Sequence, residues 1–198
     1  MLEFFLVEGR VEAGCDEAGR GCLAGPVVAS AVILDDGHRI EALNDSKQLT
    51  KKKRDALRLE IESKSLAWAV VAVSPQEIDE VNILNASFLA MKRAVDQLQT
   101  KPEHLLIDGN RFNAHETIPH SCIIKGDAKY QSIAAASILA KTHRDELMEK
   151  LSLEFPHYAW DKNKGYPTKA HREGIQKNGL SPHHRNSFKQ LPDQLQLF

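Results

Sequence analysis

Residues Arg10 to Leu34 read RVEAGCDEAGRGCLAGPVVASAVIL, and the fold turns on how this stretch is parsed. Arg10 to Asp16 and Val27 to Leu34 are rich in Val, Ala and Ile, the composition of strands covered on both faces. Between them lie Gly19, Gly21, Gly25 and Pro26, with Gly14 inside the first run. The reading is two buried strands joined by a tight, glycine-rich connection.

Outward from there the chain alternates. Asn44, Asp45 and Ser46 have loop character, and Thr50 offers an N-cap to a Lys/Arg/Leu segment that ends near Lys64, a surface helix. Ser65 to Val73 reads as a third strand, and Ser74 and Pro75 open a new helical stretch. Ala86 to Leu98 then sets Phe88, Leu89, Met91, Val95 and Leu98 at helical spacing. Leu105 to Ile107 forms a short apolar strand closed by Asp108 and Gly109. A further apolar patch, Cys122 to Ile124, ends at Lys125, Gly126 and Asp127. Tyr130 to Leu151 is alanine-rich and free of Pro and Gly, which predicts a long helix. After Pro156 the chain turns to Gly, Pro, His and Lys, with one helical piece near Thr168 to Lys177. Strands come first and helices cover them, so the residues predict a mixed α/β sheet.

A chain of 198 residues, 42% of them hydrophobic, buries one core of ordinary depth. Its longest apolar runs fall far below the roughly 20 residues of a membrane span. MLEFFLVEGRVEAG carries no basic residue before its short apolar stretch and meets Glu8 at once, unlike a secretory signal, so a cytoplasmic protein is expected. Cys15, Cys22 and Cys122 are odd in number and lack CxxC spacing, which points away from disulfides and zinc. A formal charge of -1 leaves nucleic-acid binding to local patches. One comprises Lys47, Lys51, Lys52, Lys53 and Arg54. The other runs through Lys162, Lys164, Lys169, Arg172, Lys177, His183, His184, Arg185 and Lys189. Charge alone does not separate either from a solvated surface.

Asp16 and Glu17 close the first strand, Asp108 closes a later one, and Asp127 lies just before the long helix. Ligands of open α/β sheets gather at strand carboxyl ends, where these carboxylates could meet; position alone equally allows strand-end and capping roles. Neighbouring strand residues point to opposite faces, so a shared site for Asp16 and Glu17 asks for a distorted strand. Clustered carboxylates repel each other, and divalent cations would compensate them. All-oxygen donors select Mg²⁺ or Mn²⁺, and two such ions suit phosphodiester cleavage.

The wording of the motifs goes further. DEAGRGCLAGP, Asp16 to Pro26, resembles the type 2 ribonuclease H signature, usually DEAGRGPLAGP. The resemblance continues through NDSKQL (Asn44 to Leu49), LLIDGN (Leu105 to Asn110), KGDAKYQSIAAASILAKTHRD (Lys125 to Asp145) and KGYPTKAH (Lys164 to His171). It covers nearly the whole chain in family order. It implies a ribonuclease H-like α/β fold, a mixed five-stranded sheet flanked by helices with a small helical C-terminal element. Residues 1–189 would form the catalytic domain, 155–189 its small substrate-binding part, and 190–198 a flexible tail.

By the same resemblance Asp16, Glu17, Asp108 and Asp127 are catalytic, metal-binding carboxylates for Mn²⁺ or Mg²⁺. Gly19, Arg20 and Gly21 would read the ribose 2′-hydroxyl, which fits the close approach glycine backbones allow. Tyr166 would stack on the neighbouring sugar, and Ser46, Lys47 and His171 would contact phosphate, as would some of Lys141, His143 and Arg144. Cys22 stands where the family usually has proline. The implied activity is cleavage of the RNA strand of RNA/DNA hybrids and nicking 5′ to single ribonucleotides in duplex DNA. The two-metal reaction would leave 5′-phosphate and 3′-hydroxyl ends, in ribonucleotide removal during replication and repair. A monomer is implied.

The tail ends QLQLF, similar to the pentapeptide by which bacterial replication proteins dock on the sliding clamp. Gln194, Leu195, Leu197 and Phe198 would be the contacts, on a segment that Pro192 keeps from continuing a helix. Three rivals are weaker. A non-catalytic hybrid binder would not need the four carboxylates. An aspartyl phosphatase leaves the GRG segment unexplained. A zinc enzyme on His171, His183 and His184 lacks HExxH spacing.

Overall fold

A computed structural model describes residues 2–38, 40, 42–43 and 49–191. Strands β1 (Glu12–Ala18), β2 (Val27–Ile33), β3 (Ala67–Val73), β4 (His104–Asp108) and β5 (His120–Ile123) form one sheet in the order β3-β2-β1-β4-β5. The β1, β2 and β3 pairs are antiparallel, while β4 joins β1 and β5 joins β4 in parallel. The sheet is therefore mixed, as the alternation of strand and helix patterns predicts.

Helices α1 (Lys51–Lys64) and α4 (Gln131–Glu154) cover one face, while α2 (Pro75–Val81) and α3 (Ile83–Asp96) cover the other. Every residue of β2 is buried, so its apolar run serves both faces at once. Val32 packs toward Ile61, Ala135 and Leu139, and Ala31 and Ile33 pack toward Ala90 and Ala94. Thr50 caps α1 through its hydroxyl, which accepts from Lys53 N–H at 3.3 Å. Ser74 and Glu77 cap α2 reciprocally, one of the stronger local start signals.

Helix α4 lies unusually close to the sheet. A Cβ on Gly14 of β1 would stand 2.2 Å from the backbone carbon of Ser132, so only glycine lets the helix backbone settle there. That contact puts α4 beside the carboxyl end of β1.

Past α4 come the short α5 (Trp160–Asn163) and α6 (Lys169–Asn178). Leu23, Ala24, Met148, Tyr158, Trp160 and Ile175 form their own apolar cluster. The C-terminal part is thereby packed on the β1–β2 connection and on α4. Leu23 N–H donates to Gly165 C=O at 2.8 Å, Gly25 N–H to His183 C=O at 2.8 Å and Arg185 N–H to Leu23 C=O at 2.9 Å.

Two expectations are corrected. The strand distortion expected at Asp16 and Glu17 is absent, because β1 keeps unbroken register with β2 through Asp16↔Ser30 and Glu17↔Ala29. The second basic patch is also shorter than its charges suggest, since His184 and Arg185 are buried.

Candidate active site

The parallel β1/β4 register runs Gly14↔Leu106, Cys15↔Ile107. The next positions are Asp16 and Asp108, where β4 ends. Beyond that point β1 has no neighbour on this edge, so side chains from both of its faces border one opening. This is why Asp16 and Glu17 share a cleft without a bulge.

Asp16 is buried, and Glu17 is largely so. The Asp16 carboxyl is held well above the usual carboxylate range, first by loss of hydration and then by the Glu17 and Asp108 charges. Hydrogen bonds from Ser137 and from the Glu17 N–H, 2.7 Å from Asp16 Oδ1, oppose that rise. Burial also raises Glu17, and Asp108 adds to the effect; the Arg20 guanidinium, 3.2 Å from Glu17 Oε1, pulls the other way.

Asp127 sits in a single 3-10 turn (Gly126–Ala128) ahead of α4 and is buried. Gly126 N–H donates to Asp108 Oδ1 at 2.7 Å, tying this turn to the end of β4. Asp127 itself does not line the cleft with the other three.

The cleft encloses about 290 Å³. It is lined by Asp16, Glu17, Ala18 and Asp108, by the Gly19–Gly21 loop and by Tyr166. Arg54, Ser137 and Lys141 complete it. Gly19 takes a φ of +97°, and a Cβ there would fall 2.0 Å from Arg144 Nε. The glycine loop thus rests directly on a guanidinium. Tyr166 is half-exposed, with Lys141 Nζ 5.8 Å from its ring centre.

With this arrangement in view, the ribonuclease HII family model matches residues 13–191. The chain belongs to the ribonuclease HII family. Ribonuclease HII of Parabacteroides distasonis is 62% identical over 197 residues, covering 100% of this chain and 99% of its own length. The ribonuclease HII solved with PCNA from Archaeoglobus fulgidus is 28% identical with a TM-score of 0.77, covering 94% of this chain and 98% of that one. Bst ribonuclease HIII, solved with Mn²⁺, shares the fold at a TM-score of 0.76 and 21% identity, covering 93% of this chain and 69% of its own. The protein is accordingly a nuclease, a hydrolase that cleaves the RNA strand of RNA/DNA hybrids, and it depends on a divalent metal ion as ribonuclease H enzymes do. No helix among the described residues is long and apolar enough to cross a membrane.

The chemistry of the donor set, carboxylate oxygens alone, fits such an ion. Asp16 and Glu17 both lose hydration, and the Asp108 charge raises the pKa of each, so acidic groups are crowded where a cation would offset them. Among the described residues no three acidic, His or Cys side chains converge closely enough to enclose a cation as they stand.

The other sequence expectations sort by burial. His171 is fully buried, with its ring nitrogens engaged by Trp160, His184 and the Tyr166 carbonyl. The direct phosphate contact expected of it is corrected: the ring touches the cleft only through the backbone of Tyr166. Arg144 is likewise buried, on the carbonyls of Pro26, Lys164 and Ala24 at 2.9, 2.8 and 3.1 Å. His143 faces Glu62 at 2.9 Å instead of the cleft. Ser46, Lys47, Gln194, Leu195, Leu197 and Phe198 lie outside the described residues. Ser137 escaped the sequence reading. Its signal was helical spacing, one turn before Lys141 on the same face of α4.

Proposed function

We propose that the protein nicks duplex DNA on the 5′ side of single ribonucleotides, in addition to cutting longer hybrids, by two-metal-ion hydrolysis. The observation that carries this reading is one cleft in which an acidic trio faces a glycine backbone and an aromatic ring. Carboxylates alone would suit many phosphoryl-transfer enzymes. The Gly19 to Gly21 segment would let the backbone come close to a 2′-hydroxyl, both donor and acceptor, since two of its three residues carry no side chain. Tyr166 offers a flat face for the adjoining sugar.

Asp16, Glu17 and Asp108 would hold the cations, with Asp127 supporting from behind Asp108. When bound, Mn²⁺ or Mg²⁺ supplies the positive charge that offsets the trio and the phosphate. The chain's own groups do the rest. Gly19, Arg20, Gly21 and Tyr166 fix the ribose, Lys141 and Arg54 attract the phosphate backbone, and the acidic trio orients the attacking water in line with the bond to the departing 3′ oxygen. Water adds to phosphorus, the bond to the 3′ oxygen breaks, and that oxygen takes up a proton. The ends are 5′-phosphate and 3′-hydroxyl.

An end-labelled duplex with one ribonucleotide, beside all-DNA and all-RNA duplexes, tests the reading with Mg²⁺ or Mn²⁺. A metal-dependent nick on the 5′ side, absent from the controls and lowered about 10²- to 10³-fold in Asp108→Asn, is expected, the scale seen when one electrostatic group is removed from a transition state. Binding without cutting by the wild type would favour a hybrid-binding protein instead.

We assign residues 1–189 to the catalytic domain, with 155–189 as its substrate-binding part, acting as a cytoplasmic monomer in ribonucleotide removal. Gln194, Leu195, Leu197 and Phe198 are the proposed clamp-docking residues; the PCNA complex of the archaeal relative supports a clamp as partner. Clamp affinity unchanged by deleting the last five residues would sink that assignment.

A further inference from the structure

Behind the cleft, two adjacent buried residues reach in different directions. Arg185 has 0% exposure and places its guanidinium on three backbone carbonyls: Gly19 at 2.7 Å, Arg20 at 2.9 Å and Gly25 at 3.0 Å. Among the described residues it makes no salt bridge with a carboxylate. Its donors are committed to the shape of the glycine loop.

His184, 1% exposed, works toward the other wall. Ser181 N–H donates to His184 Nδ1 at 2.9 Å, so that nitrogen is the acceptor and Nε2 carries the proton. Trp160 Nε1–H donates to His171 Nε2 at 3.0 Å, which makes His171 Nε2 an acceptor too. His184 Nε2–H therefore donates to it at 3.1 Å, and His171 Nδ1–H donates to the Tyr166 carbonyl at 2.9 Å. One set of tautomers satisfies every contact. The segment carrying both residues is anchored in turn, because Asp79 of α2 accepts from Asn186 N–H at 2.8 Å and Ser187 N–H at 2.9 Å.

We propose that His184 and Arg185 are a paired positioning clamp that fixes the spacing between the Gly19–Gly21 loop and Tyr166, and so sets where the ribose lies relative to the carboxylates. The proposal rests on the reading of this cleft as a ribonucleotide site. Arg185 sets one wall directly through the loop carbonyls. His184 sets the other through His171 and the Tyr166 backbone. Neither touches substrate, and both act through what they hold.

A double-mutant cycle on the full chain separates positioning from mere stabilisation. In steady-state cleavage of the single-ribonucleotide duplex, His184→Gln is expected to lower kcat about 10-fold with KM changed less than about 2-fold, as for a small misplacement of bound substrate. In a Tyr166→Ala background the same substitution should remove nothing further, whereas Arg185→Lys, acting on the opposite wall, should still lower kcat. Ile61→Ala, in the distant α1–α4 core, supplies a destabilised control whose kcat below its melting temperature stays at the wild-type value. Equal losses from His184→Gln in both backgrounds, or full activity of the folded variant, would overturn the clamp.

If either variant fails to fold, ¹⁵N spectra of the wild-type imidazoles decide. His171 protonated at Nδ1 and His184 at Nε2 are expected, and the reverse tautomers would break the chain of hydrogen bonds. An inactive wild type would count against the ribonucleotide reading. An active wild type with additive losses would count against the clamp alone.

Discussion

Two polar clusters meet at the cleft, and they treat burial in opposite ways. At the carboxyl ends of β1 and β4, Asp16 and Glu17 are desolvated together and the neighbouring Asp108 charge raises the pKa of both. Behind the glycine loop, Arg144, Arg185, His171 and His184 are buried as deeply, yet their polar nitrogens meet carbonyls or complementary ring nitrogens. The first cluster holds charge in readiness for a counter-ion, and the second holds shape. A polar group that is buried and fully hydrogen-bonded rigidifies its surroundings, whereas carboxylates crowded together are favoured by a counter-ion.

The sharpest way to break the second cluster is Gly19→Ala. The new methyl would overlap Arg144 and sit at a positive φ, so the loop must move. A shift approaching 1 Å is expected to lower kcat/KM about 100-fold, roughly 2.7 kcal/mol of transition-state stabilisation. Steady-state cleavage of the single-ribonucleotide duplex measures it.

The first cluster is probed by melting. Saturating Mn²⁺ or Mg²⁺ should raise Tm, by the equivalent of about 2.7 kcal/mol at a hundred times Kd. Asp108→Asn should shrink that increment and, without metal, melt no lower than the wild type, because it removes one of the mutually repelling charges. A lower metal-free Tm would mean that the carboxylates are not in opposition.

Acid should act on the second cluster. Burial, chiefly, lowers the His184 pKa from 6.5 to about 4, and His171 is lowered in the same direction. The unfolded chain takes up protons below pH 6.5 while the folded one refuses them until about 4. This contribution to stability is complete above pH 6.5 and declines as pH falls toward 4. Melting followed by tryptophan fluorescence, which reports on Trp160, should show that decline, and replacing both histidines should flatten it.

The smallest effect belongs to the rim. Lys141 is paired with Asp145 at 2.8 Å and lies over Tyr166, so Lys141→Met should raise KM only a few-fold and lessen its salt dependence by about one phosphate contact. Titration of KM against KCl checks this.

Much of this contrast was legible in the sequence, and unevenly. The buried strands, the Thr50 cap and the Pro- and Gly-free helix α4 follow local rules that tertiary packing did not overrule. The carboxylates, the glycine loop and Tyr166 were found through motif wording. What escaped was the interior of the C-terminal part. His184 and Arg185 read as part of a basic patch, and His171 as a phosphate contact, because nothing in a composition distinguishes a guanidinium facing water from one facing three carbonyls of a loop more than a hundred residues away. The strand distortion that a site shared by Asp16 and Glu17 asked for failed for a related reason: the end of β4 opens the β1 edge, and strand ends are set by neighbours.

The Arg185–Gly19 contact joins positions 166 residues apart in the chain. A ribosome therefore releases all four acidic residues well before the segment that holds the glycine loop has emerged. A growing chain that stops at residue 150 owns the carboxylates but neither Tyr166 nor its supports, so the cleft has one wall. The second wall of the cleft is therefore encoded far downstream of the first, and a chain has both only once Tyr166, His184 and Arg185 have been made.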